Sequence, residues 1–270
     1  MAQNNRRVAF QEENAIVADG RDVQHTAGME AAAMKVLTVA VEMDQSKRLL
    51  EALTCYKEGV GILMDVLRSI PETSSRKNHY RDKIKEYMCR AEKIKIAIEK
   101  KKDEGKFHEK YTIANNSAGH SYERMFRCLI DDDVSHVDID DPYIRIQHQL
   151  LNLLRFCELL VRYASSLKSI VLTTGRADNP DGRKYQESAF SELISSLKSR
   201  GIRLEIHYSD SLHDREIRFN NGWIIQIGRG LDIFKSVPRF TIGYCDFELR
   251  PCHETTVDIF HKSKVRITSS

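Results

Sequence analysis

The sequence predicts a multidomain protein in which an all-α bundle of three helices precedes an α/β domain. Two observations carry this prediction. Apolar residues recur every three or four positions between residues 29 and 102, which is the period of amphipathic helices. Beyond residue 116, short β-like runs alternate with helical segments, which is the pattern of a layered α/β domain. The mixed-charge run 99–106 lies between the two regions and indicates a solvated helix end followed by a linker.

The first region contains three apolar stripes at helical spacing. The first helix is predicted to end near Asp44, and the second stops before Pro71, which fits poorly inside a helix. The expected core positions, helix by helix, are Met34, Leu37, Ala40 and Val41; then Leu49, Leu53, Tyr56, Val60, Leu63 and Leu67; then Ile84, Tyr87, Ala91, Ile94 and Ile98. Three amphipathic helices with short connections predict an antiparallel bundle.

The second region is predicted to alternate between strands and helices. The expected β runs are 134–139, 169–174, 202–208, 216–219, 223–227 and 239–244, and the expected helices are 146–163 and 186–199. Asn221-Gly222, between two apolar runs, indicates a hairpin. The boundaries that follow are a disordered arm at 1–28, the bundle at 29–102, a linker at 103–115 and the second domain at 116–270.

Composition narrows the function classes. The 42 Lys and Arg residues balance 39 acidic ones, with 21 basic and 18 acidic residues in 1–113 and 21 of each in 114–270. Since neither half is strongly basic, nucleic acid is not expected as a partner, and any anion site must be a local cluster. Six cysteines without a CxxC pair indicate a reducing cytosol, and no apolar run is long enough to cross a bilayer.

One methionine of the third helix stands apart from the core stripe. Met88 lies among charged residues that include Lys85, Glu92 and Lys95. A flexible apolar side chain between charges of both signs is typical of a groove for a partner's amphipathic helix, although a lone exposed methionine more often has no function. The pattern alone leaves both interpretations open.

Segment 31–102 resembles the MIT (microtubule-interacting and transport) domain. The resemblance rests on Leu50-Glu51-Ala52-Leu53-Thr54-Cys55-Tyr56 and on Tyr87-Met88-Cys89-Arg90-Ala91-Glu92. Such domains bind C-terminal helices of ESCRT-III subunits, the charged multivesicular body proteins, between their second and third helices. The resemblance implies that Met88 is the central apolar contact, that Ala91 leaves room for the ligand helix and that Glu92 pairs with its basic residue. Relatives commonly have an acidic residue at the position of Cys89, which puts ligand choice in question.

A second constellation lies at residues 213–220. His213, Arg215 and Asn220 form H-x-R-x-x-x-x-N, and in an extended chain residues two apart point to one side, so His213 and Arg215 would address one anion. The spacing resembles the H-x-K-x-x-x-x-D motif of the phospholipase D superfamily, in which histidine attacks phosphorus and lysine holds phosphate oxygens. Arginine retains the positive charge, whereas asparagine removes the acid. With a single copy of the motif, phosphate binding is favoured over a phosphodiesterase that uses His213 in a dimeric site.

From about residue 116 the chain is similar to the C-terminal half of the MIT-domain proteins that act with ESCRT-III in cytokinetic abscission. Segments 141–145, 153–158, 213–223, 227–232 and 243–262 carry the likeness. It implies a phospholipase D-like fold without enzymatic activity, association with acidic phospholipids such as phosphoinositides, and homodimerisation. It also implies a cytoplasmic protein that is peripheral on late endosomes and reaches the midbody during cell division. A scaffold that binds only proteins is a further alternative.

The expected site residues follow from these two constellations. Those for partner-helix binding are Lys85, Met88, Ala91, Glu92 and Lys95. Those for phosphate or lipid are His213, Arg215, Arg218, Asn220, Arg229, Lys235 and Arg239. No cofactor is expected. The spacing of Cys245, Cys252, His253 and His261 fits no common zinc site, and the aspartates of 131–141 are interpreted as solvated.

Overall fold

The computed structural model describes residues 26–71 and 76–262. The chain divides into two compact units, Met1–Ile98 and Glu99–Ser270. The N-terminal unit contains the three predicted helices, α1 (26–45), α2 (Leu49–Ser69) and α3 (Arg76–Asp103). Residues 26–28, assigned from the sequence to the arm, belong to α1, and the remainder of that predicted arm lies outside the described residues.

The bundle core follows the predicted stripes only in part. On α2 the buried residues include Leu50, Ala52 and Val66, whereas the predicted Leu49, Leu53 and Leu67 are partly exposed, and α1 differs as well. Leu37 of α1 is 2% exposed, whereas Met34 is 60% exposed and Ala33 occupies the core instead. The reason is angular: Ala33 lies one turn from Leu37 on the same face, and Met34 is rotated by about 100° from Ala33. Gly59 allows α2 to approach α1 closely, because a β-carbon there would lie 2.6 Å from the Leu37 side chain.

A charged link joins the end of α1 to α3. The Asp44 carboxylate accepts hydrogen bonds from Arg90 Nε and Nη2, both at 2.6 Å, and one from the Tyr56 hydroxyl at 3.3 Å. These bonds, with the Arg90 pair first among them, hold the pKa of Asp44 below its ordinary value. Because the fork of Arg90 meets both carboxylate oxygens, the link sets which flank of α3 faces α1.

The C-terminal unit is an α/β domain, as predicted. Its helices are α4 (Tyr122–Phe126), α5 (Gln147–Tyr163) and α6 (Pro180–Lys198). Its strands are β1 (His108–Ile113), β2 (His136–Asp140), β3 (Ser169–Thr174), β4 (Arg203–Tyr208), β5 (Glu216–Phe219), β6 (Trp223–Ile227) and β7 (Thr255–His261). They form one mixed sheet in the order β1-β7-β6-β5-β2-β3-β4, in which β2, β3 and β4 are parallel and every other pair is antiparallel.

Two strands were missed from the sequence. β1 lies in the segment predicted to be the linker, and it pairs along its whole length with β7. The two strands are separated by more than a hundred residues, so their pairing is a long-range contact that local patterns do not report. The segment 239–244, predicted to be a strand, is instead a series of turns, and α6 begins at Pro180 rather than Gln186.

The sheet has one apolar face and one polar face. The connections β2-α5-β3 and β3-α6-β4 join parallel strands, and since such connections share one hand, α5 and α6 lie on the same side. Val137 and Ile139 of β2 face that side and are fully buried. The alternate residues, His136, Asp138 and Asp140, lie on the opposite face and are partly exposed.

The link between α1 and α3 generates a stability prediction. The folded-state pKa of Asp44 lies below the ordinary value of 3.8, so the link stabilises the bundle fully above that value and its contribution is lost as pH falls through the lower one. We expect Asp44→Asn to destabilise the bundle by about 1 kcal/mol at neutral pH, since Arg90 is half exposed. The difference from wild type should shrink as the pH falls below 3.8 and through the lower folded-state pKa of Asp44.

Hydrogen exchange of α1 amides in the full chain measures this effect for the bundle alone. Asp65→Asn is the matched control, because its pair with Arg68 is more than half exposed on both sides. An equal loss of hydrogen-exchange protection in Asp44→Asn and Asp65→Asn would contradict the conclusion that the bonds between Asp44 and Arg90 stabilise the bundle.

Candidate functional site

The surface of α3 that faces away from Arg90 gathers the residues predicted to bind a partner helix. At about 100° per residue, Met88 lies about 160° around α3 from Arg90, whose side chain reaches α1. Lys85, Ala91, Glu92 and Lys95 fall with Met88 within an arc of about 120°. Met88 is 53% exposed, and Ala91 is partly buried between the charged positions. The helix thus presents an apolar centre with a charged border on the flank opposite α1.

A cleft in the C-terminal domain gathers the other candidate site. It encloses about 340 Å³ beside the carboxyl ends of β2 and β6, where the chain enters β5 and β7. Loop connections at the carboxyl ends of parallel strands are the usual position of ligand sites in α/β sheets. The residues that line the cleft are Lys110, His213, Asp214, Arg215, Gln226, Ile227, Gly228, Thr256 and Asp258.

Arg215 is the best-positioned cation of the cleft. Its Nη1 donates to the carbonyl oxygen of Gly228, and its guanidinium lies 4.4 Å from the centroid of the Tyr143 ring. Its Nε is buried and has no hydrogen-bond partner among the described residues. Two neighbours therefore hold the guanidinium plane in place, and its positive charge at the cleft suits the recognition of an anion.

A buried carboxylate supports this arrangement. Asp141 is 2% exposed and accepts hydrogen bonds from the backbone N–H groups of Tyr143 (3.0 Å) and Leu231 (3.1 Å). Burial raises the pKa of Asp141, and these bonds together with the nearby charge of Arg215 oppose that shift. Asp141 was assigned from the sequence to a group of solvated acids, and its burial corrects that interpretation: it ties the loop after β2 to the loop after β6.

The three residues of the predicted motif do not converge. His213 and Arg215 precede β5 and line the cleft together. Asn220 follows β5 and therefore lies at the opposite end of that strand. Its Oδ1 accepts from the backbone N–H groups of Ser135 and His136, and its Nδ2 donates to the carbonyl oxygen of Asp133. Asn220 thus stabilises the loop before β2. This role is structural, and Asn220 does not line the cleft.

Arg218 is occupied by carboxylates on the polar face of the sheet. It bonds Asp140 at 2.6 Å and Glu216 at 2.9 Å, and Asp138 lies 3.9 Å away. Burial by itself lowers the pKa of Arg218, but these hydrogen bonds outweigh it and raise the pKa above its ordinary value. The Arg218 charge is therefore neutralised within the domain and is a poor anion ligand.

The remaining predicted cations lie on the long connection between β6 and β7. Arg229 Nε donates to the carbonyl oxygen of Asp232 at 3.0 Å, and Lys235 Nζ donates to Asn116 Oδ1 at 2.7 Å. Arg239 is exposed and contacts the ring of Phe240 at 5.7 Å. None of the three lines the cleft.

Sequence reasoning missed four polar residues that neighbouring strands bring to the cleft. They are Lys110 of β1, Gln226 of β6, and Thr256 and Asp258 of β7. Lys110 Nζ lies 2.9 Å from Asp258, so its charge is compensated. The alternation of polar residues along β7 was the signal that could have indicated them, but it required the strand to be recognised first.

Metal binding gains no support from the geometry of the described residues. Cys252 and His253 precede β7 and His261 ends it, so the candidate ligands lie at opposite ends of a seven-residue strand. Nowhere in residues 26–71 and 76–262 do three His, Cys, Asp or Glu side chains converge as a metal site would require. The six cysteines, all within the described residues, form no disulfide, and no helix in the described part of the chain is long and apolar enough to cross a membrane.

Comparison with known proteins assigns both units. Residues 30–96 match the MIT (microtubule interacting and transport) domain, and residues 119–261 match the phospholipase D-like domain at the C-terminus of MIT. The chain belongs to the family of proteins that join these two domains.

A mammalian relative has the same organisation over nearly its full length. The chain is 49% identical to MIT domain-containing protein 1 of Mus musculus over 236 residues, which are 87% of this chain and 94% of the mouse protein. The resemblance inferred from the sequence motifs is thereby confirmed for both domains.

The packing of Asp141 against a glycine generates a prediction for the cleft. Gly230 has φ +60°, and a β-carbon there would lie 2.0 Å from Asp141 Oδ2. We expect Gly230→Ala to destabilise the C-terminal domain by at least about 2 kcal/mol, because Asp141 must move from its backbone donors.

Gly201→Ala is the matched control, because φ is +76° there but no atom lies within 4 Å of the added β-carbon. It should be destabilising by about 1 kcal/mol. Urea denaturation of the two variants measures the difference, and equal losses would show that the contact with Asp141 is unimportant.

Proposed function

We propose that the chain is a non-enzymatic adaptor that binds C-terminal helices of ESCRT-III subunits with its MIT domain and acidic phospholipids with its phospholipase D-like domain. The adaptor role follows from the family, since MIT domains in general bind ESCRT-III proteins. The observation that carries the lipid half is the cleft, where the Arg215 guanidinium is held in place by Gly228 and Tyr143 and lines the same cavity as His213.

The partner-helix surface supports the first half of the proposal. An amphipathic helix needs an apolar contact to bury and charges at its border to set register. Met88 supplies the contact, Ala91 leaves space beside it, and Glu92 attracts a basic residue of the ligand. Arg90 directs the other flank of α3 toward α1, so Met88 lies on the flank turned away from α1, and we propose that the partner helix binds there, between α2 and α3. Cys89 is exposed and contributes no charge, so recognition of basic ligand residues depends on Glu92.

The chemistry of the cleft favours binding over hydrolysis. A nucleophilic histidine is ordinarily oriented by a hydrogen bond that its second ring N–H donates to an acceptor such as a carboxylate, and His213 has no such bond to a described residue. A phosphodiesterase also needs a general acid for the leaving group, which a second copy of the motif would supply. Binding requires neither a nucleophile nor a general acid, and the Arg215 guanidinium suits the phosphate of a monoester or a diester headgroup.

Homodimerisation through the C-terminal domain completes the proposed adaptor. Single helix-in-groove contacts and single headgroup contacts are weak, but a dimer joins two of each. Simultaneous engagement then favours membranes that carry assembled ESCRT-III subunits. Such membranes include the late endosome and, at the end of cytokinesis, the midbody, where we propose that the protein coordinates abscission from the cytoplasmic side.

Peptide binding tests the first half of the proposal. We expect Met88→Asp to weaken binding of ESCRT-III C-terminal peptides at least tenfold in fluorescence anisotropy, because it places a charge at the apolar centre. Met34→Asp is the matched control, an equally exposed methionine on α1. If Met34→Asp abolished binding and Met88→Asp did not, the ligand would lie along α1 and the assigned groove would be incorrect.

Vesicle co-sedimentation tests the second half. We expect Arg215→Gln to reduce binding to vesicles that contain phosphoinositides about tenfold or more, because a charged bidentate donor is lost from a half-buried position. Arg203→Gln is the control, since that arginine is 73% exposed on β4, at the other end of the sheet order.

The same protein and vesicle samples also test the alternative that the protein is a phosphodiesterase that uses His213. Equal vesicle binding by wild type and Arg215→Gln would show that the cleft does not bind the lipid headgroup. Time-dependent release of a headgroup that disappears in His213→Ala would contradict the non-enzymatic assignment.

A further inference from the structure

The connection between β6 and β7 carries an apolar tip. Phe240 is 95% exposed and Ile242 is 82% exposed, which makes them the two most exposed large apolar side chains among the described residues. Ordinary surfaces carry scattered apolar residues of moderate exposure, but two alternate residues projecting almost completely into solvent indicate a contact. The tip is here defined as residues 238–244.

The tip is held outward by its own hydrogen bonds. The backbone N–H and the hydroxyl of Thr241 both donate to the carbonyl oxygen of Pro238, at 3.1 and 2.7 Å. The backbone N–H of Tyr244 donates to the carbonyl oxygen of Thr241 at 3.1 Å. Arg250 clamps the far side by donating to the carbonyl oxygens of Gly243 and Tyr244. The turns therefore present Phe240 and Ile242 to solvent in a defined conformation.

The base of the loop is fixed to the domain core. Phe247 lies with its ring centroid 4.7 Å from that of buried Phe234, and the guanidinium of Arg155 lies 4.0 Å from the Phe247 ring. Glu248 pairs with Arg124 at 3.0 Å. Because the base is anchored, the apolar side chains of the tip cannot turn inward to join the core.

The tip belongs to a connection that begins and ends at the same end of the strands as the cleft. The loop leaves the sheet at the carboxyl end of β6 and returns at the start of β7, and this is the edge at which Arg215 and His213 line the cleft. Arg239, next to Phe240, is exposed and forms no ion pair with any described residue. A surface that offers apolar side chains beside cations matches a bilayer, whose acyl chains lie beneath anionic headgroups.

We propose that Phe240 and Ile242 insert into the acyl region of an anionic bilayer while Arg239 remains at the phosphate level. This inference rests on the proposed lipid function of the same domain and adds a component of binding that is not electrostatic. A protruding tip needs no complementary pocket in a fluid bilayer, whereas a protein partner would have to supply one.

Fluorescence of an introduced tryptophan tests insertion in the full chain. The native Trp223 is 4% exposed and lies at the opposite end of β6, so it serves as an internal reference. With vesicles of phosphatidylcholine and phosphatidylserine in which the phosphatidylcholine is brominated, we expect Phe240→Trp to show a blue shift and quenching. Wild type and Tyr185→Trp, a half-exposed aromatic position on α6, should show neither.

A double variant measures the contribution to affinity. We expect Phe240→Ser with Ile242→Ser to lower partitioning into these vesicles at least tenfold, and the binding that wild type retains at high salt should be lost, because apolar insertion is not screened. Arg215→Gln should show the converse, a weaker salt-sensitive component with quenching of Phe240→Trp retained.

Other outcomes overturn the proposal in distinguishable ways. If wild type binds the vesicles but Phe240→Trp is not quenched, insertion is refuted while headgroup binding stands. If wild type does not bind them or phosphoinositide vesicles, both proposals fail. If the double variant binds vesicles normally but changes from dimer to monomer in sedimentation equilibrium, the tip contacts a second copy of the chain rather than lipid.

Discussion

The C-terminal domain depends on one buried carboxylate. Asp141 follows β2, the first of the three parallel strands, and accepts a hydrogen bond from the backbone N–H of Leu231 in the connection after β6, so a single side chain joins two loops beside the cleft. Burying a carboxylate is unfavourable unless it is bonded, and the two backbone donors with the nearby Arg215 offset that penalty. The same carboxylate also holds the backbone of Tyr143, whose ring contacts the Arg215 guanidinium.

The two domains hold the residues of their candidate sites by different physical means. The MIT bundle holds α3 in a fixed rotation through Arg90 and Asp44, so that one flank is available for a partner helix. The phospholipase D-like domain instead places a cation at the edge of a sheet whose polar face is largely neutralised by internal pairs such as Arg218 with Asp140. Both candidate sites therefore consist of a few residues held by their neighbours rather than of a region of high net charge.

The residues of the phosphate motif lie at two separate places in the domain and have different roles. His213 and Arg215 remain together in the cleft, whereas Asn220 fastens the loop before β2 with three hydrogen bonds. An aspartate at that position could accept the same two backbone bonds, but it could not donate to the Asp133 carbonyl oxygen when ionised. The replacement by asparagine is thus compatible with a structural role and does not by itself weaken anion binding at the other end of β5.

The sequence by itself determined the two-domain organisation, the three helices, five of the seven strands and the pairing of His213 with Arg215, because these depend on local periodicity and short spacing. Tertiary structure decided the rest. The contact of β1 with β7 joins residues at opposite ends of the domain, and the neutralisation of Arg218 depends on carboxylates of a neighbouring strand. Whether Asp141 is solvated or buried, and whether Phe240 points inward or outward, are properties of long-range packing, which a local pattern does not encode.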